Sequence, residues 1–246
     1  MGAIYFSINT KLAGIIAEEL SIKHFVETGT YTGDTCDSVK DLFQTIDSIE
    51  LSDELYDNAS KRFERISHIQ CHLGDSAKLV AEITKKYSLE PILYWLDAHW
   101  CAGSNTAGEE SQCPLIEEIK AIGSINHNSV IWIDDARYFM APPPAPLEVK
   151  GWPTFQEVLD VLSASHTGSH EIIIADDTIL LIPRIAAESV RDYLHHYGAD
   201  LLMITHKGKW FSEAVAARDA LDAALKDARS KLISQRIKNI WQNITK

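Results

Sequence analysis

Short apolar, β-branched runs recur along the chain at Phe25-Val26, Ile46–Leu51, Ile66–Cys71, Ile92–Leu96, Val130–Ile133, Ile172–Ala175 and Ile179–Ile182. Between most of them the apolar positions fall at helical spacing, over Asp34–Phe43, Asp53–Phe63, Ser76–Tyr87, Pro114–Ile122 and Thr154–Leu162. Strand and helix alternating this often predict an α/β fold, a doubly wound and mostly parallel sheet of seven strands covered on both faces. Only Asp176-Asp177 separates the last two runs, too little for a crossover helix, so they predict a hairpin and an antiparallel last strand. Ser52 is placed to cap the helix that opens with Asp53 and Glu54, and Pro114 suits the first turn of its helix.

Two stretches break the alternation. Residues 140–153, MAPPPAPLEVKGWP, hold five of the eight prolines and predict a stiff, extended loop after the fifth strand. From Ser212 onward there is no Gly or Pro. Leu221, Leu225, Ala228 and Leu232 recur at helical spacing, and Ile233, Ile237, Ile240 and Ile244 continue one step over. That predicts one long C-terminal amphipathic helix with a drifting stripe, and so a domain over 1–211 followed by a helical tail over 212–246. From Lys226 the tail carries six cations against one acid. Packing on its own domain, coiled-coil pairing into a homo-oligomer or docking on a partner, and lying on a membrane surface all remain open for it.

Composition narrows the class. Hydrophobic residues make up 46% and charged residues 24%, which excludes disordered, collagen-like and disulfide-scaffold chains. Lys and Arg total 23 against 35 Asp and Glu, and the net charge of −12 argues against a nucleic-acid partner. The four cysteines, Cys36, Cys71, Cys101 and Cys113, form no CxxC pair, which fits a reduced, cytoplasmic chain. The N-terminus does not read as a signal peptide, and no apolar run is long enough to span a membrane.

The segment His24-Phe25-Val26-Glu27-Thr28-Gly29-Thr30-Tyr31-Thr32-Gly33-Asp34-Thr35 runs from a strand through a glycine loop into a helix. Glycines at 29 and 33 let the backbone approach a ligand, although an ordinary tight turn has the same pattern. Glu27 precedes the loop, Glu50 ends the second strand, and Asp75-Ser76 follow the third. An acid at the end of the second strand suits the hydroxyls of a ribose. Glu27 would repel a pyrophosphate but attract a sulfonium or ammonium group, and the spacing is GxxxG rather than GxGxxG. Acids at three successive strand ends therefore suit S-adenosylmethionine better than a nicotinamide dinucleotide.

Strand four ends in Leu96-Asp97-Ala98-His99 and strand five in Ile133-Asp134-Asp135. Adjacent parallel strands deliver these ends to one crevice. Three carboxylates there call for a hard divalent cation, Mg²⁺ first, unless Asp134 caps a loop and only one of the pair points inward. Zinc held by His99, Cys101 and Cys113 matches no familiar spacing. Arg137 can meet an acidic substrate or a neighbouring carboxylate. Trp152 can form a substrate wall or pack on the sheet edge. The segment CAGSNTAGEESQC predicts a loop over the substrate.

The motifs VETGTYTGDT, SIELSDELY and HLGDS resemble the cofactor motifs of class I S-adenosylmethionine-dependent methyltransferases, which have a Rossmann-like sheet. The ETG start resembles the metal-dependent sugar O-methyltransferases of the macrocin O-methyltransferase type and methyltransferases of polysaccharide loci; the likeness spans roughly residues 20–185. The resemblance implies a cofactor site of Glu27, Thr28, Gly29, Thr30, Gly33, Thr35, Glu50, Leu51, Asp75 and Ser76. It also implies Mg²⁺ or another divalent cation on Asp97, Asp134 and Asp135. In that family the general base lies two residues past the first metal ligand and is commonly Asp; here the position is His99, a departure in type. The implied reaction is methylation of a carbohydrate hydroxyl, a glycan end or a sugar-containing metabolite, with Asp97 and His99 as catalytic residues. The alternatives are a phenolic acceptor, or a cofactor-binding subunit whose basic tail recruits a glycan-assembly partner, peripheral to the inner face of the membrane.

Overall fold

The computed structural model describes residues 7–87, 89–100, 108 and 111–199, together with Ala217 and Leu221. Seven strands form one sheet: β1 (His24–Thr28), β2 (Thr45–Glu50), β3 (Ile69–Leu73), β4 (Ile92–Leu96), β5 (Val130–Ile133), β6 (His170–Ala175) and β7 (Thr178–Pro183). Their order across the sheet is β3-β2-β1-β4-β5-β7-β6. β1 to β5 pair in parallel, and β7 runs antiparallel to both β5 and β6. This is the doubly wound sheet with an antiparallel last strand that the alternation predicts, and the Rossmann-like sheet that the motif resemblance implies.

β1, β2, β4 and β5 are buried on both faces, whereas the edge strand β3 is largely open, so the side chains of those four divide by period two between two cores. Phe25, Ile46, Trp95 and Trp132 face one layer, built from α1 (Thr10–Glu19), α2 (Asp34–Val39), α3 (Asp53–Phe63) and, later in the chain, Ala187 and Val190. Val26, Ile49, Tyr94 and Ile131 face the other, covered by α4 (Ser76–Lys86), α5 (Leu115–Ile122), the short α6 (Arg137–Met140) and α7 (Phe155–Ala164). The helix α8 (Ala187–Tyr197) closes the first layer. Trp95 and Trp132 meet edge to face at 5.8 Å, and Trp132 Nε1 donates to Thr178 Oγ1 at 2.8 Å, tying β5 to the start of β7.

Capping matches the sequence in several places. Ser52 accepts from Leu55 N at the start of α3, and Thr154 with Glu157 forms a complete capping box on α7. Asp176 and Asp177 take positive φ values of 52° and 63°, the geometry that a two-residue hairpin turn demands and that Asp tolerates. Other boundaries moved. The strand expected at Ile66–Cys71 runs Ile69–Leu73 because Ile66 closes the turn after α3, its N–H bonding Phe63 O. The helix expected over Asp34–Phe43 ends at Val39. α1 and α8 were not foreseen; α1 buries Leu12, Ala13, Ile16 and Ala17 against the sheet.

The chain divides into two units, 1–198 and 199–246. The helix expected from Ser212 falls outside the described residues apart from Ala217 and Leu221. Among the described residues no helix is long and apolar enough to cross a membrane. Trp132→Ala removes both the aromatic contact and the bond to Thr178, and should lower unfolding free energy by about 3–5 kcal/mol in a denaturant titration.

Candidate active site

The carboxyl edge of β1 carries the glycine loop. Gly29 (φ 85°) passes so close over the end of β4 that a Cβ there would lie 2.5 Å from the carbonyl oxygen of Asp97. Gly33 (φ 81°) opens α2, and a Cβ would meet the Phe63 ring at 2.7 Å. The loop is therefore pressed onto its neighbours at both glycines, which only that residue allows. Asp97 N bonds Thr28 O, and Asp134 N bonds Leu96 O, so the ends of β1, β4 and β5 step across the sheet as one edge.

Side chains in this loop fall on opposite faces. Glu27 is buried toward α2, where Ser48 Oγ and Cys36 Sγ both donate to its Oε2. Burial pushes its carboxyl up to about 7, against the hydrogen bonds from Ser48, Cys36 and Thr35. Thr30 Oγ1 lies 2.6 Å from Ser48 Oγ, and Thr35 Oγ1 accepts from Ser7. Thr28 faces the opposite layer, toward α5. Glu50 accepts from Tyr31 N at 2.8 Å and Ser52 N at 2.9 Å, pinning the loop to the end of β2. Asp75 caps α4 by accepting from Ala77 N, with Ser76 buried beside it. Tyr31, Leu51 and Leu73 remain exposed around this rim, an apolar fringe beside two acids.

Asp97, His99, Asp134 and Asp135 gather at the ends of β4 and β5. His99 Nε2 lies 3.1 Å from Asp97 Oδ1 and 2.8 Å from Asp135 Oδ2. Asp135, at φ 57°, also receives Arg137 Nη1 at 2.5 Å. Burial opposes ionisation of Asp135, but His99 and Arg137 outweigh it and hold the carboxyl below its usual range. Asp134 has neither cation. Burial first, then Asp97 and Asp135, push it up to about 8, and its Oδ2 has no hydrogen-bond partner.

Arg137 thus meets neighbouring carboxylates. Its Nη1 joins Asp135 to Asp177 at the hairpin tip, whose Oδ1 accepts from Arg137 N and whose carbonyl accepts from Ala136 N. Trp152 is buried rather than open to solvent. It packs 5.4 Å from the His99 ring and against Tyr138 and Phe139, with Nε1 donating to Gln112. Carboxylate oxygens suit a hard cation, and Asp134 Oδ2 is a buried oxygen lacking a donor. In arrangement, no three His, Cys, Asp or Glu among the described residues are grouped as a metal site. Cys101 and most of the loop up to 110 lie outside the described residues.

Glu118, on α5, is a site residue that sequence reading missed. It is 1% exposed and lines the same small cavity as Asp97, His99 and Asp134. Burial pushes its carboxyl up to about 7, against the Ser76 and Thr28 hydroxyls, and Asp97 and Asp75 add to the rise. The signal was there: Leu115, Glu118, Ile119 and Ile122 are the buried residues of α5, spaced as one stripe, and one of the four is an acid.

No family model matches the chain, and no curated protein matches it. Several solved structures are similar. A Staphylococcus aureus protein assigned as a caffeoyl-CoA O-methyltransferase is 12% identical, with a TM-score of 0.49 over 71% of this chain and 82% of that one. A Streptococcus mutans protein assigned as a methyltransferase, bound to S-adenosylhomocysteine, is 10% identical, with a TM-score of 0.47 over 70% and 96%. A sugar N-methyltransferase from Streptoalloteichus is 11% identical, with a TM-score of 0.44 over 72% and 87%. Likeness at this level does not bear on the reaction, which must be read from the residues of this chain.

Gly29→Ala should fail to fold or lose at least half its soluble yield, because its Cβ meets backbone and not a movable side chain. Glu118 has a folded-state pKa above its ordinary 4.5, so the stability it permits at low pH is lost as pH rises toward 7. Glu118→Gln should therefore match the parent near pH 4.5. By pH 8 it should exceed it by on the order of 1–3 kcal/mol in urea unfolding.

Proposed function

We propose that the chain is an S-adenosylmethionine-dependent O-methyltransferase of the class I kind, whose acceptor is a carbohydrate hydroxyl. The observation that carries the reading is the convergence of His99 with Asp97, Asp134 and Asp135 beside a glycine loop pressed onto the end of β4. The carbohydrate acceptor comes from the motif resemblance.

The loop from Glu27 to Thr35 would carry the methionine end of the cofactor. Glu50 keeps acceptor capacity for ribose hydroxyls, and the exposed Leu51 and Leu73, with Asp75 and Ser76, would flank adenine. Asp97, Asp134 and Asp135 would hold Mg²⁺, which would lower the pKa of the acceptor hydroxyl. His99 would take the hydroxyl proton on the ring nitrogen that does not face the carboxylates, while Asp97 and Asp135, beside its Nε2, would orient the ring and stabilise the imidazolium that forms. Arg137 and Asp177 fix Asp135 for that task. The methyl group is already activated on sulfur, so positioning supplies most of the acceleration. The aromatic cluster around His99, buried Phe139 and Trp152 with half-buried Tyr138, favours a second reading, a phenolic acceptor.

Labelled-methyl transfer to a panel of sugars and catechols, with and without chelator, tests both. Sugar methylation that stops on chelation supports the first reading, and catechol methylation alone supports the second. His99→Ala should lower kcat by about 10²–10⁴ while cofactor affinity stays within a few-fold. Full turnover by Asp134→Ala in metal-free buffer would remove the metal from the account.

A further inference from the structure

Glu118 has no part in the reaction just described, yet it is the acid that α5 turns into the crevice. Its Oε1 has no hydrogen-bond partner, and it is as buried as the core leucines around it. Four features define what could sit there. The cavity it lines with Asp97, His99 and Asp134 has room for about one water-sized group, at ≈ 10 Å³. Its surroundings are acidic, with Asp97 and Asp75 both raising the cost of its charge. Among the described residues that line the cavity, none is Lys or Arg. The Thr28 and Ser76 hydroxyls beside it belong to the end of β1 and the start of α4, where the cofactor loop and the adenine rim meet.

A buried oxygen without a donor, in a water-sized acidic space, calls for a small cation that brings its own N–H groups. We infer that Glu118 is a cofactor-binding residue that accepts a charge-assisted hydrogen bond from the α-ammonium group of S-adenosylmethionine. The inference rests on S-adenosylmethionine being the cofactor. The sulfonium offers no N–H or O–H, so it cannot satisfy Oε1 in this way. A primary ammonium is close to a water in size and donates three hydrogens. Asp97 and Asp134, which line the same cavity, then gain a positive charge beside them.

Three ligands separate the parts of the cofactor. S-adenosylmethionine carries sulfonium and ammonium, S-adenosylhomocysteine the ammonium alone, and 5′-methylthioadenosine neither. In calorimetric titrations, Glu118→Gln should bind the first two about 10- to 100-fold more weakly than the parent and 5′-methylthioadenosine equally well. Glu118→Asp, which keeps the charge but withdraws it by one methylene, should also weaken the first two only; it decides the matter if Glu118→Gln does not fold. Apo Glu118→Gln should be no less stable than the parent, whereas a packing residue would lose stability and affinity together.

Loss confined to S-adenosylmethionine, equal loss for all three ligands, or no loss at all would overturn the assignment. So would weaker titration of Mg²⁺ alone in Glu118→Gln, which would make the residue part of a metal site. If the parent protein binds none of the three ligands, the cofactor reading itself fails, a result distinct from a parent that binds and a variant that binds equally.

Discussion

A carboxyl group withdrawn from water must gain a donor, a cation or a proton, and the carboxyl edge of this sheet withdraws several at once. Asp135 finds cations in His99 and Arg137 and stays ionised. Glu27 finds hydroxyl and thiol donors, which moderate but do not cancel its burial. Asp134 and Glu118 find too little, and their carboxyls rise to about 8 and about 7. A fold selected for stability alone would have no reason to keep those two acids. Buried beside a glycine loop, they mark a place where positive charge is brought from outside.

The scaffold holds these groups by backbone and by side-chain contact together. The β1 loop lies on the Asp97 carbonyl, and the hairpin tip supplies both a carbonyl and a carboxylate to the turn after β5. The antiparallel β6–β7 pair is thus more than a sheet edge: Asp177 and Arg137 lock the position of Asp135. Sheet topology and site geometry meet at that turn, since only a strand returning from the far end can bring its hairpin tip to the carboxyl edge.

Much of this was legible in the chain. Seven apolar runs, the helices between most of them and the two-residue Asp176-Asp177 turn yielded the architecture, because period and turn chemistry are local. The convergence of Asp97, His99, Asp134 and Asp135 followed from their places at adjacent strand ends. What escaped depends on contacts distant in sequence. Arg137 could be assigned to Asp135 and Asp177 only once the hairpin tip was placed beside it. For Trp152 packing on the sheet edge was the commoner expectation and a substrate wall the other; the chain alone did not show Gln112, Tyr138 and Phe139 around it. Glu118 hid beside Glu117 as half of an ordinary acidic pair, although its register on α5 put it among apolar residues.

The central claim is that acids kept partly protonated in this crevice give up protons when a cationic ligand arrives. Calorimetry of S-adenosylmethionine binding near pH 7, repeated in buffers of different ionisation enthalpy, counts those protons directly. The account predicts net proton release on binding. Binding with no proton released, or with protons taken up, would contradict it.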